Sequence, residues 1–254
     1  MIYIIVAMMI SLILFMLFKA HFDIVEYRSI VDSRLPKSFD HYCLFYISDI
    51  HRRKINLKTL QSIHKEMNMI VIGGDLTEKG VPLKRTQENL KLLKQFGVPI
   101  YFIWGNNDYE IDFEELIQLL NEEDIIILKD SYIDITHDKH TLNFIGFDYH
   151  ENGEDYGELD WSKITGDYRV LLTHVPQAFY ELDPIVQGSI HTVLAGHTHG
   201  GQIRLFGLGL YQKGGLHVYR QTNIFISEGY GYTFLPLRLQ TNAECHVITF
   251  KQYK

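Results

Sequence analysis

Side chains that can bind metal ions follow five short apolar runs in this sequence of 254 residues. Two residues separated by one position point to the same side of an extended backbone. The donors are oxygens and imidazole nitrogens without any thiolate, a set that suits Mn²⁺, Fe²⁺ or Zn²⁺. Because seven ligands are too many for one such ion, we expect two. The candidate metal ligands are Asp49, His51, Asp75, Asn106, His174, His197 and His199.

The apolar runs before these residues have the length and composition of buried strands. We predict strands over Tyr42–Ile47, Met69–Ile72, Pro99–Trp104, Ile125–Leu128, Tyr132–Thr136, Thr141–Ile145, Tyr168–Leu172, Ile190–Leu194, Asn223–Ser227 and Glu244–Phe250. We predict helices over Asn56–Glu66, Pro82–Phe96 and Asp112–Leu120. The chain is therefore predicted to be an α/β protein. Since the carboxyl ends of strands in α/β sheets converge on one crevice, we expect the five groups at one site.

Most of these fragments are uninformative when they stand alone. Asp-x-His and Gly-Asp are common, and a single Gly-Asn-x-Asp is ordinarily a turn. The fragment Gly196–Gln202, Gly-His-Thr-His-Gly-Gly-Gln, is different, because two histidines among three glycines have little reason to serve in packing. Five such fragments in this order, each after a predicted strand, indicate a functional site rather than turns or packing.

As a set, these fragments resemble the signature of the calcineurin-like metallophosphoesterase family, over about Leu44 to Phe250. The stretches 200–204, 229–231 and 236–238 are similar to a subgroup of small bacterial enzymes with an N-terminal membrane segment or signal. The resemblance implies a four-layer αββα sandwich of two mixed sheets. It also implies one metal held by Asp49, His51 and His199, and another held by Asn106, His174 and His197. Asp75 would bridge the two.

Such a site implies hydrolysis of a phosphoester. Two divalent ions against two carboxylates leave a charge of about +2, which attracts a phosphate anion. A water between the two ions would lose its proton near neutral pH and would serve as the nucleophile, attacking in line as hydroxide. Asp108 and backbone carbonyls near the ligands are candidates to fix the histidine tautomers. Arg204 and Arg238 are candidates to bind substrate phosphate, with a carboxylate such as Glu228 as the other plausible partner.

Position 107 departs from the family pattern, which usually has Gly-Asn-His-Asp. Here the residue is Asn107, and an amide cannot act as a general acid near neutral pH. We therefore expect a preference for substrates with good leaving groups, such as pyrophosphate bonds or aryl phosphodiesters, over alkyl phosphomonoesters. His150 is an alternative proton donor, although a histidine in a surface loop is the commoner interpretation.

The first 18 residues predict a membrane helix. They contain one polar side chain, Ser11, and an 18-residue helix would span about 27 Å, close to the thickness of a bilayer core. No basic residue precedes the segment and no small-residue cleavage site follows it, so we favour an uncleaved anchor over a signal peptide or a core helix. Basic residues come only after the segment, which predicts a single-pass protein of the cell membrane with a cytoplasmic catalytic domain. We predict an anchor over 1–18, a linker over 19–41 and the catalytic domain over 42–254.

Composition narrows the function classes. The net charge of −7 disfavours nucleic acid as a partner and a nuclease as the function. Cys43 and Cys245 lie in apolar runs and are expected to be buried. The leading expectation is a two-metal phosphoesterase at a membrane surface, acting on a lipid-linked or nucleotide-linked substrate. The alternatives are a metal-binding scaffold or regulator with weakened catalysis, and a phosphomonoesterase.

Overall fold

The computed structural model of this protein describes residues 1–149 and 159–253, so the candidate proton donor His150 lies outside the described residues. Within those ranges the strands form two six-stranded sheets. The strands are β1 (Asp23–Asp32), β2 (Cys43–Ile47), β3 (Met69–Gly73), β4 (Ile100–Ile103), β5 (Ile126–Ile127), β6 (Ser131–His137), β7 (His140–Gly146), β8 (Tyr168–Leu172), β9 (Thr192–Ala195), β10 (Gly215–Tyr219), β11 (Thr222–Ile226) and β12 (Ala243–Gln252). The helices are α1 (Ile2–His21), α2 (Leu57–Gln61), α3 (Leu83–Leu93), α4 (Phe113–Glu122), α5 (Gln177–Glu181) and α6 (Pro184–Ser189).

Both sheets are mixed. The first has the order β1-β12-β2-β3-β4-β5, in which β2 to β5 are parallel and β12 is antiparallel to β2. The second has the order β10-β11-β9-β8-β7-β6, in which β7, β8, β9 and β11 are parallel. Antiparallel β6 and β10 form its two edges.

The central strands are buried on both faces, which explains their continuous apolar sequences. In β2, Leu44 and Tyr46 belong to the core between the sheets. The alternate residues Phe45 and Ile47 pack in a second core with Leu90 of α3 and Leu116 and Leu120 of α4. A third core on the outer face of the second sheet includes Phe179 of α5. The resulting order of helix, sheet, sheet and helix confirms the predicted four-layer fold.

The N-terminal helix is longer than the predicted anchor and ends at His21. Most of its side chains are exposed, and by length and composition it can cross a membrane. Residues 19–41, which the sequence predicts as a linker, contain strand β1, and the structure differs from the prediction here. Strand β1 pairs in parallel with β12, from Asp23 opposite Ala243 to Asp32 opposite Gln252. Its partner lies more than 200 residues later, so local patterning does not reveal the pairing.

Candidate metal centre

The site lies where strands of both sheets end. Strands β2, β3 and β4 of the first sheet and β8 and β9 of the second lead into the loops that carry the seven predicted ligands. Backbone hydrogen bonds join these loops, including Asp49 N–H to the Gly74 carbonyl at 3.0 Å and Gly196 N–H to the His174 carbonyl at 3.0 Å.

The backbone at the site is strained. Five of the ligand residues have left-handed conformations with φ between 48° and 68°. A residue other than glycine held in such a conformation costs about 1–3 kcal/mol, and these residues cluster at functional sites. The strain therefore indicates that the positions of these side chains matter more than local stability. The five residues are Asp49, His51, Asp75, His197 and His199.

The first ligand group consists of Asp49, His51 and His199, whose donor atoms lie within 4.8 Å of one another. The Nε2 atoms of His51 and His199 are 3.1 Å apart, and His199 Nε2 is 3.3 Å from Asp49 Oδ1. All three residues are buried. Asp49 Oδ2 accepts no hydrogen bond from the described residues. A buried carboxylate with one oxygen beside the His199 imidazole and the other without a hydrogen-bond donor fits a bound cation.

The second group consists of Asp75, His174 and His197. His174 Nε2 lies 3.1 Å from Asp75 Oδ2 and 3.3 Å from His197 Nδ1. Asn106 Oδ1 lies 2.9 Å from the same His197 nitrogen. Asp75 Oδ2 is also 3.6 Å from His51 Nε2 in the first group. Asp75 therefore lies between the two groups, where a bridging ligand is required.

Two of the histidines are oriented through their second ring nitrogen. His174 Nδ1 lies 2.9 Å from the Gly73 carbonyl, and His51 Nδ1 lies 2.9 Å from Glu78 Oε2. A ring nitrogen bound to a carbonyl or carboxylate leaves the other nitrogen free as a metal ligand. Sequence analysis missed Glu78, although an acidic residue three positions after Asp75 on the same loop is a signal that was present.

Burial and neighbouring charges shift the pKa values of the ligand residues. Although burial lowers it, the carboxylates of Asp75 and Asp49 raise the pKa of His174 to about 10. Burial raises the pKa of Asp75, but the neighbouring His174 and His51 outweigh it and the pKa is lowered. Burial and the charge of His174 lower the pKa of His197 to about 4. Asp75 is thus ionised and His197 neutral, the forms in which these side chains bind a metal ion.

Asp108, a candidate to fix the histidine tautomers, is fully buried and holds loops together. Its Oδ1 accepts the Thr77 N–H at 3.0 Å and its Oδ2 accepts the Gly105 N–H at 2.9 Å. These bonds connect the loop that carries Asp75 with the loop that carries Asn106. Burial and Asp75 raise the pKa of Asp108 to about 7.

Asn107 lies beside the ligands, at the wall of a cavity. Its backbone N–H donates to Asp75 Oδ1 at 2.8 Å, and its side-chain oxygen accepts from Asn106 Nδ2 at 2.8 Å. The cavity has a volume of about 770 Å³. Its lining includes ligand residues and an apolar part, which consists of Ile203, Leu210, Tyr211, Phe234, Leu235 and Leu237.

Neither of the two arginines predicted to bind substrate is among the residues that line this cavity. Arg238 is fully buried and donates to the carbonyls of Glu228 at 2.7 Å and Gly231 at 2.8 Å. Arg204 donates to the carbonyls of Gly200, Gly207 and Tyr211. A guanidinium donates several hydrogen bonds, and here backbone carbonyls of the glycine-rich loops accept them.

Comparisons with known proteins agree with this centre. Residues 44–201 match the sequence profile of the calcineurin-like phosphoesterases. The uncharacterized Bacillus subtilis protein YpbG is 37% identical over 81% of this chain and 80% of its own. A Danio rerio transmembrane protein with a metallophosphoesterase domain is 30% identical over 86% of this chain and 55% of its own.

A solved structure agrees on the fold. The sulfate thiohydrolase SoxB of Thermus thermophilus superposes with a TM-score of 0.51, at 14% identity, over 85% of this chain and 57% of that one. The matched profile spans more than half of this chain, from the strand before the first ligands to Gly201. The chain belongs to the calcineurin-like phosphoesterase family and is a metal-dependent phosphoester hydrolase.

Proposed function

We propose that this chain hydrolyses phosphodiester or pyrophosphate bonds with two divalent metal ions at a membrane surface. The observation that carries the proposal is the pair of adjoining ligand groups at one cavity, with Asp75 within reach of both. Mn²⁺, Fe²⁺ and Zn²⁺ all suit this oxygen and imidazole set.

Metal ions bound by these residues supply Lewis acidity toward phosphoryl oxygens and lower the pKa of water. The residues of the chain hold the metal ions and orient the side chains that bind them. Asp49, His51 and His199 would hold one ion, and Asn106, His174 and His197 the other. Asp75 is placed to serve both, while Glu78 and the Gly73 carbonyl keep two imidazole rings in their orientations.

Asn107 supports the preference for good leaving groups. Its side chain lies at the cavity, where an amide can donate a hydrogen bond to a phosphoryl oxygen but cannot transfer a proton near neutral pH. A leaving group that departs as a stable anion does not need that proton. Pyrophosphate bonds and aryl phosphodiesters therefore suit this site better than alkyl phosphomonoesters.

The membrane part of the proposal depends on α1. Its 20 residues are long and apolar enough to span a bilayer, and a metallophosphoesterase relative is itself named as a transmembrane protein. We propose a single-pass protein of the cell membrane, with its catalytic domain, which includes β1, on the cytoplasmic side. A lipid-linked or a nucleotide-linked phosphoester is the substrate that fits this location and charge.

Turnover of two model substrates tests the proposal. The full chain in detergent, loaded with Mn²⁺, is assayed on bis(p-nitrophenyl) phosphate and on p-nitrophenyl phosphate. We expect faster turnover of the diester, and its loss by at least about 100-fold in Asp75→Asn. Asp138→Asn, at an exposed turn between β6 and β7, is the matched control and should retain activity.

Two other results would contradict the proposal. Higher activity on the monoester would identify a phosphomonoesterase. Two bound metal ions without turnover of either substrate would identify a scaffold or regulator.

A separate variant tests the leaving-group preference. Asn107→His supplies a proton donor at the cavity wall, so we expect it to accelerate alkyl phosphoesters more than aryl phosphoesters, by about 10-fold or more. Turnover is compared across a series of leaving groups of rising pKa. Equal acceleration across the series would show that the residue at position 107 does not act on the leaving group.

A further inference from the structure

Two loops at the mouth of the cavity expose an unusual number of large apolar side chains. We call this surface the apolar rim. Phe206 and Phe234 are each 95% exposed and Leu210 is 93% exposed, so the rim gains almost nothing from burial within the chain. Contiguous exposed apolar surface of this kind marks a contact with a partner or a membrane. The rim consists of Leu205, Phe206, Leu208, Leu210, Phe234 and Leu235.

The loops of the apolar rim are held in place by polar side chains that face inward. Arg204 donates to the carbonyls of Gly200, Gly207 and Tyr211. The Gln202 amide donates to the carbonyls of Thr233 and Leu235 and so joins the two loops. These backbone groups are therefore satisfied without water. Satisfied backbone groups are what a segment needs before it enters a medium of low polarity.

The two phenylalanines are not explained by the turns that they occupy. Phe206 has φ of 52° and Phe234 has φ of 56°, a left-handed conformation that glycine or asparagine adopts more easily. A bulky residue there is strained, and an exposed ring offers no packing in return. Neither local geometry nor internal packing accounts for phenylalanine at the tips of both loops. A partner outside the chain does.

The rim adjoins the C-terminal end of the apolar helix α1. The Arg238 N–H, just beyond the second loop, donates to the Met16 carbonyl at 3.1 Å. Lys19 donates to Asn242 at 2.9 Å, and Ala20 is fully buried against the domain. The surface of a bilayer that α1 crosses would therefore lie beside the apolar rim. The rim and α1 would then form one continuous surface facing lipid.

Charge around the rim also favours a lipid surface. Between residues 202 and 243 the sequence has one acidic residue, Glu228, although the whole chain has a net charge of −7. Glu228 is buried. The same stretch has four basic residues, of which Arg238 is also buried, whereas Arg204, Lys213 and Arg220 are not. A neutral to basic apolar surface is compatible with the anionic headgroups of a membrane, from which the acidic remainder of the chain would be repelled.

We propose that the apolar rim inserts into the interfacial layer of the bilayer that α1 crosses, so that the cavity opens at the level of the lipid headgroups. Leu210, Phe234 and Leu235 belong both to the rim and to the cavity wall. An acyl or prenyl chain would lie along this wall while its phosphoester reaches the ligand groups. Resting on the proposed function, this assigns amphipathic, bilayer-embedded phosphoesters as the substrate class.

Site-directed fluorescence tests the insertion without any need for activity. Both native cysteines are buried and unpaired, so a new exposed cysteine can be labelled selectively. Phe206→Cys, Phe234→Cys and Ile185→Cys are labelled with a polarity-sensitive fluorophore in the full chain. They are then reconstituted in vesicles of phosphatidylcholine and phosphatidylglycerol that contain doxyl-labelled lipid. Ile185 is the matched control, because it is 85% exposed on α6 and is not part of the rim.

We expect the labels at positions 206 and 234 to be quenched at least three-fold more strongly than the label at 185. Weak quenching at all three positions would overturn the insertion. A label at 185 that is quenched as strongly as the other two would mean that the domain lies on lipid through another face, which also overturns it.

A pair of phosphodiesters tests the substrate class. Ethyl p-nitrophenyl phosphate is soluble, whereas hexadecyl p-nitrophenyl phosphate resides in the bilayer, and both release the same leaving group. The double variant Phe206→Asn with Leu208→Asn changes rim residues that do not line the cavity, and asparagine tolerates the left-handed conformation at 206. In proteoliposomes we expect turnover of the hexadecyl diester to fall about 10-fold and turnover of the ethyl diester to stay within two-fold.

The remaining outcomes separate the two proposals. An equal loss on both diesters would show that the rim supports the fold, and would overturn its role in substrate access. Quenching at 206 and 234 without turnover of either diester by the unmodified chain would refute the proposed function and its substrate class, and leave the insertion standing.

Discussion

Glu78 is the residue whose role was least visible in the sequence and is most testable in the structure. Its carboxylate lies 2.9 Å from His51 Nδ1 and also pairs with Arg52. Burial raises the pKa of Glu78, but the hydrogen bonds from His51 and Arg52 outweigh it, so the pKa is lowered. Glu78 is therefore ionised when it contacts the ring, which orients His51 and increases the basicity of its other nitrogen.

We predict that Glu78→Gln weakens metal binding by about 10- to 100-fold while the fold is retained. Glutamine keeps the shape of the side chain but loses the charge that polarises the imidazole. Metal affinity is measured by competition with a chelator, and folding by circular dichroism. Glu88→Gln removes an exposed carboxylate that pairs with Lys54 and serves as the control. Unchanged metal affinity in Glu78→Gln would show that His51 does not depend on this contact.

At the residue scale, the sequence predicted which side chains gather at the centre better than it predicted what each one does. The ligands were recognisable because their types and their spacing after strands both follow from metal chemistry. The acceptors of Arg204 and Arg238 are not visible in the sequence, because an arginine side chain is long and the acceptors it meets depend on the loops that fold around it. Glu78 was missed because its partner, His51, lies on a different strand end.

At the scale of elements, the turn after β9 is fitted closely to the turn after β2. Gly196 follows β9, and a Cβ atom added there would lie 2.6 Å from Asp49 Oδ2 and 2.8 Å from Ser48 Oγ. Contacts that short force a neighbour to move. The neighbour here is a ligand of the first group, so this glycine allows the second sheet to approach the metal centre.

We predict that Gly196→Ala lowers metal affinity and turnover by at least about 10-fold, with a loss of about 1–3 kcal/mol in the free energy of unfolding. Its φ lies outside the left-handed region, so the effect is steric rather than conformational. Chelator competition and thermal unfolding measure the two quantities. Gly188→Ala in α6 is the matched control, because an added Cβ there meets nothing within 4 Å. Equal behaviour of the two variants would contradict the close fit.

Elements with a strong local pattern were predicted within a few residues, and elements that depend on distant partners were not. Strand β8 begins and ends as predicted, because its apolar run is buried on both faces. Strands β1 and β10 were missed, since each lies at the edge of a sheet and half its pattern faces solvent. The predicted helix over Asn56–Glu66 is a short helix, Leu57–Gln61, capped by the side chain of Asn56.

At the scale of the whole molecule, the two sheets meet along a large buried core and share one site at their common edge. Deep burial also traps titratable groups away from the site. His246 in β12 is 1% exposed and packs against Phe225, with ring centroids 4.7 Å apart. Its Nε2 lies 2.9 Å from Ser227 Oγ. Burial, and the charge of Arg28, lower the pKa of His246 to about 3.

The nearest carboxyl does not help His246 to carry a charge. Glu244 Oε1 is 3.5 Å away, but burial raises the pKa of Glu244 to about 7. Glu244 is therefore mostly protonated in the acid range and offers no negative charge to an imidazolium. His246 stays neutral in the folded protein over a range in which it is protonated in the unfolded chain.

This difference predicts that acid destabilises the fold in part through His246. Between pH 6.5 and about 3 the unfolded state binds a proton that the folded state does not, so the free energy of unfolding falls as the pH is lowered. His246→Gln keeps an atom near Ser227 and removes this titration. We expect the variant to lose about 3 kcal/mol less than the unmodified chain between pH 7 and pH 4, measured by thermal unfolding in detergent. His41→Gln, at an exposed position, should keep the full pH dependence, and an unchanged slope in His246→Gln would mean that the buried ring takes up a proton within the fold.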